Sequence, residues 1–266
     1  MEIKYTLQGL LIYLTMAHYL VAFVLMLLRL RKTAGVVYFF GFVAAVVCYG
    51  YRWYHVAHIP MQNLFEVFLT LGLVIYPISL FCKRYLQIGD PATLATDMLI
   101  GFIVLFPTGF KFDAEPQRLP PALQSWLFAP HVAVYMLSYI FMAKAAVQAV
   151  CRLMGLRKRS TDQLLGAEMA TYQMVCVGFP LLTLGLILGS WWGKIAWGDY
   201  WGWDPKELWS LASWLFFVGY LHFRHMFGKK HAYINSAWAI SGLVAIILTL
   251  LWANLSRLFE GMHSYA

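Results

Sequence analysis

The sequence predicts an all-α, polytopic integral membrane protein with about eight transmembrane helices and an external, tryptophan-rich segment. Three observations carry that reading. The 266 residues are 61% hydrophobic and only 12% charged, with a mean hydropathy of +0.66, which leaves little room for a soluble domain. Apolar stretches long enough to cross, or nearly cross, a bilayer fall at roughly 6–28, 35–52, 63–82, 93–110, 128–151, 171–190, 206–224 and 232–256. Of the 11 tryptophans, six crowd into residues 190–209: Trp191, Trp192, Trp197, Trp201, Trp203 and Trp209.

Span one follows a weak basic region (only Lys4) and exceeds a signal-peptide core in length, so it is expected to stay in the mature chain. Span three opens with Pro60 and then Asn63-Leu-Phe-Glu66, the spacing of a capping box. Residues 108–127 are polar and carry Pro116, Pro120 and Pro121, an external loop ending at Trp126. Pro130 marks the mouth of span five. Residues 152–170 read as a basic cytoplasmic loop with a short surface helix. Span seven opens with Asp204-Pro205-Lys206-Glu207, which places Asp204 at N-cap, Pro205 at N1 and Glu207 at N3.

Charge sets the expected orientation. The connections after spans one, three, five and seven hold Arg29, Arg31 and Lys32; Lys83 and Arg84; Arg152, Arg157, Lys158 and Arg159; and Arg224, Lys229 and Lys230. On the other side, Arg52, Lys111, Arg118, Lys194 and Lys206 are largely matched by acids. The positive-inside rule puts the first set in the cytoplasm, and the tryptophan stretch and both termini outside a cell membrane. The same rule accounts for the net charge of +8 without a nucleic-acid partner. Cys48, Cys82, Cys151 and Cys176 form no Cys-x-x-Cys pair and read as packing residues.

Between the tryptophans lie Gly193, Gly198 and Gly202. Alternating Trp and Gly gives no clean helical or strand period, so most of 190–209 is expected to be an ordered loop. Flat side chains on a backbone thinned by glycine suit a platform for a flat, apolar ligand. An interfacial aromatic belt is the competing reading, but a belt needs no glycines.

Topology sorts the eight histidines. His131 follows Pro130 in the first external turn of span five, and His263 lies beyond the external end of span eight. Two neutral imidazoles flanking an aromatic platform suit a six-coordinate haem iron. His55 and His58, also external, are rival ligands. His222 lies sixteen residues into span seven, roughly 24 Å from the outer face at 1.5 Å per residue. At that depth it reads equally as a functional site or as a side chain snorkelling to the inner interface. His225 and His231 fall in a basic loop, and His18 reads as a hydrogen-bonded packing residue.

Trp-Gly-x-Tyr-Trp-Gly-Trp-Asp-Pro-Lys-Glu resembles the signature of the tryptophan-rich, haem-handling cytochrome c assembly family, in the form of its CcsA (ResC-type) branch. Asn63-x-Phe-Glu66 is similar to a second family element, with Phe65 in place of Tyr. The order His131, tryptophan stretch, His222, His263 matches the family's histidine pattern, to which His55 and His58 do not belong. The resemblance covers the chain from about span two onward and implies one cytochrome c assembly domain over 1–266. It implies haem b as substrate, met at His222 within the membrane together with a CcsB (ResB-type) partner. It then implies an outer site with His131 and His263 on the iron and Trp191, Trp192, Trp197, Trp201, Trp203 and Asp204 around the haem. There the thiols of an apocytochrome c Cys-x-x-Cys-His motif would add to the haem, so that the chain acts as a holocytochrome c synthase component. A haem-binding exporter or regulatory membrane protein without ligation activity is the alternative. A small-solute transporter would carry internal repeats or paired broken spans, which are not evident.

Overall fold

The structure, a computed structural model, describes residues 3–155 and 161–252, and the side chains of these except 161–165 and Trp252. The chain divides between Gln124 and Ser125 into two compact helical units.

Unit 1 holds α1 (Leu7–Leu27), α2 (Arg31–Val56), α3 (Leu64–Tyr85) and α4 (Pro91–Phe110). Polar caps start three of them: Thr6 accepts the Gly9 N–H, Asn63 the Glu66 N–H, and Asp90 the N–H groups of Ala92 and Thr93. With little hydrophobic drive between helices in lipid, close packing depends on small residues. Tyr19, wholly buried in α1, shows how that works. A Cβ added at Gly41 of α2 or Gly101 of α4 would lie 2.7 or 2.6 Å from its ring. Its hydroxyl donates to the Gly72 carbonyl of α3 at 2.9 Å, so one side chain ties four helices together.

The Asn63 cap forms, but Glu66 does not return the bond to Asn63. Its Oε2 accepts the Gln62 N–H at 2.9 Å, and its Oε1 accepts from Arg52 Nε at 2.9 Å and Nη2 at 2.8 Å. This ion pair is almost wholly buried. Arg52 also donates to the carbonyls of Ala114 and Glu115, and Gln62 to that of Arg118, so the connection after α4 is strapped down by its own backbone oxygens.

Unit 2 holds α5 (Phe128–Leu153), α6 (Thr161–Trp197), α7 (Pro205–Phe227) and α8 (Ala232–Ile247), the last continuing as a wider π turn over Leu248–Trp252. Antiparallel α5 and α6 meet along a seam that repeats every seven residues, the spacing of shallow left-handed helix packing. Thr171 faces Ala145, Gly178 faces Ser138, and Gly185 faces His131 and Tyr135. A 3₁₀ turn at 228–231, with Gly228 at φ +64°, folds α8 back on α7. Phe217 then lies under Gly242, and Trp238 under Gly219.

Among the described residues, seven continuous helical stretches are long and apolar enough to cross a membrane. The last runs 47 residues over Pro205–Leu251 and doubles back at Gly228, so it comprises two antiparallel helices, α7 and α8, and the described residues hold eight α-helices. The chain is a multi-pass membrane protein. The expected surface helix within 152–170 is instead the beginning of α6, which starts at Thr161. No breaker separates it from span six, and buried Ala167, Glu168, Ala170 and Thr171 keep it packed. Of the cysteines, Cys48 and Cys82 are buried as packing residues should be, whereas Cys176 is exposed.

Candidate functional site

The end of the α5–α6 seam nearest the tryptophan stretch builds a seat for one imidazole. Pro130 is the third residue of α5, and His131 follows it in the same first turn, its N–H donating to the Leu127 carbonyl. Opposite, α6 presents Gly185-Leu-Ile-Leu-Gly189, two glycines one turn apart. A Cβ at Gly189 would fall 2.4 Å from His131 Cε1 and 2.8 Å from Nδ1, so only glycine leaves room for the ring. His131 Nδ1 lies 2.9 Å from the Gly185 carbonyl oxygen. A carbonyl only accepts, so Nδ1 carries the proton and the ring lone pair sits on Nε2. A backbone carbonyl holding one ring nitrogen is the usual support for a histidine whose other nitrogen binds a metal.

Trp192 closes the seat. It is 2% exposed, and its ring lies 5.7 Å from His131 at an interplanar angle of 30°. Phe128 and Trp197 pack on it at 5.6 and 4.8 Å. Sequence reasoning expected a loop through most of 190–209, but Trp191, Trp192 and Trp197 belong to α6. The helix absorbs Gly193 because interhelical packing outweighs roughly 1 kcal/mol of propensity. The glycine instead makes room above the helix, where a Cβ would meet the Asp199 carbonyl at 3.3 Å.

The true loop is 198–204, folded back on the end of α6. Gly198 turns it at φ +91°. Ser190 and Lys194 donate to the carbonyls of Tyr200 and Gly198, and Lys194 lies over the Tyr200 ring. At the far end the expected capping box is present: Asp204 accepts the Lys206 N–H, and Glu207 accepts the N–H groups of Gly202 and Asp204. Trp203 takes φ +56°, a left-handed conformation that costs a non-glycine residue about 1–2 kcal/mol.

Six tryptophans do not make one plane. His131, Trp192 and Trp197 form a packed cluster, Trp191 meets Trp126 edge-on at 5.4 Å, and Trp201 meets Trp203 edge-on at 6.1 Å. Trp191 and Trp203 are 46% and 66% exposed, an outward aromatic face beside the buried seat. The indole N–H of Trp201 is buried and has no acceptor among the described residues.

His222 lies on α7 far from this cluster, about 25 Å along the helix from Pro205. Its ring is exposed, and Nδ1 lies 2.9 Å from the Val218 carbonyl, so its lone pair also sits on Nε2. Near it, Arg224 pairs with Glu168 of α6, and Asn235 of α8 donates to the same carboxylate. In unit 1, His55 bonds the Tyr51 carbonyl of its own helix, and His58 those of Ile59 and Gln117. His263 lies outside the described residues. Sequence reasoning missed the Gly185–Gly189 seat, although the seven-residue interval from Gly178 to Gly185 signalled it. It also missed the Glu168–Arg224–Asn235 triad, for which an acid at Glu168, beside the apolar run of span six, was the only sign.

A family model described as cytochrome C assembly protein matches residues 61–263. The cytochrome c biogenesis protein CcsA of Guillardia theta is 32% identical over 254 residues, covering 84% of this chain and 82% of that protein. Those of Chlamydomonas reinhardtii and Prochlorococcus marinus (strain MIT 9303) are 32% and 31% identical, over 80% of this chain in each case and 63% and 78% of the relatives. A solved structure of cytochrome c heme lyase CcmF superposes with a TM-score of 0.72 at 22% identity, over 94% of this chain. The chain spans about half, 48%, of that lyase's length, and the likeness is one of fold.

Proposed function

The chain belongs to the cytochrome c assembly protein family, in its CcsA-type branch, and from that premise we propose that it presents haem at the outer membrane face for attachment to apocytochrome c. The carrying observation is the seat of His131, an imidazole fixed by the Gly185 carbonyl in the space left by Gly189, beside Trp192. That donor suits a haem iron, and the unmatched Trp201 N–H suits a haem carboxylate.

In this reading His131 Nε2 is one axial ligand and His263 the other. Trp192 and Trp197 keep the imidazole dry and fixed, while Trp191, Trp201 and Trp203 cover the haem face. Asp204 works through its cap, which fixes where the tryptophan loop meets α7. The chemistry supplied there is addition of the two thiols of an apocytochrome Cys-x-x-Cys-His motif to the haem vinyl groups. The protein contributes position and iron ligation rather than an acid–base group. Haem b would first meet His222, deep in α7, with a CcsB-type partner supplying the opposite ligand. The chain then acts as a subunit of a cytochrome c synthase in the cell membrane, its tryptophan loop outside, and both units serve as one haem-handling domain.

The test is the absorption spectrum of the purified protein, expected to be low-spin and six-coordinate. His131→Ala and His263→Ala are compared with His55→Ala plus His58→Ala. Loss of the low-spin bands in the first two, and not in the last, supports the assignment. The reverse pattern refutes it.

A further inference from the structure

A cleft of about 460 Å³ opens in unit 1, at the end that carries the connections after α1 and after α3. All four helices of the unit contribute to its wall. Arg31, the first residue of α2, and Lys83, in the last turn of α3, are its cations. Both side chains are exposed, and neither has a hydrogen bond or ion pair among the described residues. The Lys83 stem is held in place, since a Cβ at Gly89 would lie 2.4 Å from its Cγ. No carboxylate lines the cleft. Leu30, the N-cap of α2, offers its first-turn amides no side-chain acceptor, so the positive end of that helix adds to the two cations.

Behind the cations the lining turns apolar. Tyr38 and Tyr76 meet edge-on at 4.9 Å, Met98 is buried, and the Tyr38 hydroxyl lies 3.3 Å from Ser79 Oγ. Leu80, on the same wall, is 54% exposed, so the slot opens sideways on a surface that faces lipid. Two unpaired cations above an aromatic and aliphatic slot match an amphiphile with an anionic head and an apolar tail. A free anion would use only the mouth.

We propose that this cleft is a binding site for one anionic phospholipid, its phosphate between Arg31 and Lys83 and an acyl chain along Tyr38, Tyr76 and Met98. The inference is independent of the haem reading. The lipid fills the gap between the ends of α2 and α3 and fixes the basic end of unit 1 at the headgroup level.

The experiment is native mass spectrometry of the full chain in neutral detergent, titrated with phosphatidylglycerol or phosphatidylcholine. One phosphatidylglycerol is expected to bind saturably, ahead of phosphatidylcholine. Arg31→Ala with Lys83→Ala weakens it about 25-fold, at roughly fivefold for each basic residue near an anionic headgroup. Lys32→Ala with Arg84→Ala removes the same charge outside the lining and leaves the affinity unchanged. Gly35→Leu plugs the cleft without changing charge. Gly35 lines it, has nothing within 4 Å of a new Cβ, and sits in a helix that leucine favours. Equal weakening by the control pair, or no effect of Gly35→Leu, would mean a diffuse charge effect and overturn the site. Displacement of the lipid by inorganic phosphate or by haemin would overturn it in favour of a free anion or a porphyrin.

Discussion

Gly189→Ala isolates the seat of His131 from the rest of the fold. The new Cβ would start 2.4 Å from the imidazole Cε1, against 3.4 Å where ordinary contact begins, so the ring must retreat by about 1 Å. Retreat lengthens the 2.9 Å bond to Gly185 and releases the ring from its tautomer. In stability the change is modest. Alanine regains up to about 1 kcal/mol of helix propensity, while overpacking costs about 1–3 kcal/mol and the strained hydrogen bond about 1 kcal/mol. The net loss is about 1–3 kcal/mol, and the helices stay folded. Function is far more sensitive, because a 1 Å displacement of a positioning group costs about 100-fold. Gly166→Ala, on the same helix with nothing within 4 Å, is the control. Haem per protein, the ferrous spectrum and maturation of a reporter cytochrome c are measured alongside thermal unfolding. A Gly189→Ala protein with the unaltered spectrum and haem content refutes the seat, as does an equal loss in Gly166→Ala.

Four further outcomes follow from the same geometry. Arg52→Ala strands the Glu66 carboxylate in a buried site and should cost about 3–5 kcal/mol in detergent unfolding, whereas Arg52→Met with Glu66→Leu should cost much less. Asp204→Asn keeps the α7 cap and should leave haem content unchanged, while Asp204→Ala loses about 1 kcal/mol; a loss of haem in the Asn variant would mean a direct role for the charge. His222→Gly should lower haem content and maturation with partial rescue by imidazole, and full loading would leave that histidine only an interfacial role. Reporter fusions after Tyr200 and after Lys230 should report opposite sides of the membrane, and one side for both would refute the charge-based orientation.

Hydropathy alone placed all eight long helices, because a segment that can cross lipid must be predominantly apolar over about 20 residues. The helix ends were less legible: α2 and α6 run past their apolar runs, since a helix in the headgroup region needs neighbours rather than hydrophobicity. Asp204 announced its cap because that interaction is local, closed within four residues. Arg52 and Glu66 gave no such sign, as fourteen residues and a helix boundary separate them. The same holds for His131. Its place in the first turn of span five could be read from the sequence, but the carbonyl that orients it lies 54 residues away. The tryptophans misled in one respect, since a spacing that fits no period still became helix at Trp191, Trp192 and Trp197, where α5 offered a partner face.

The seven-residue seam between α5 and α6 also constrains how the chain can change length. One residue inserted between Thr171 and Gly185 would turn everything beyond it by about 100°. Gly189 would swing away from His131, and a side chain would take its place. A whole heptad would restore the facing direction but slide the glycines along the axis by about 10.5 Å, two turns past the imidazole. Insertions and deletions are therefore confined to connections such as 111–124 and 198–204, and the register of α6 behaves as a ruler that reaches the histidine only at its present length.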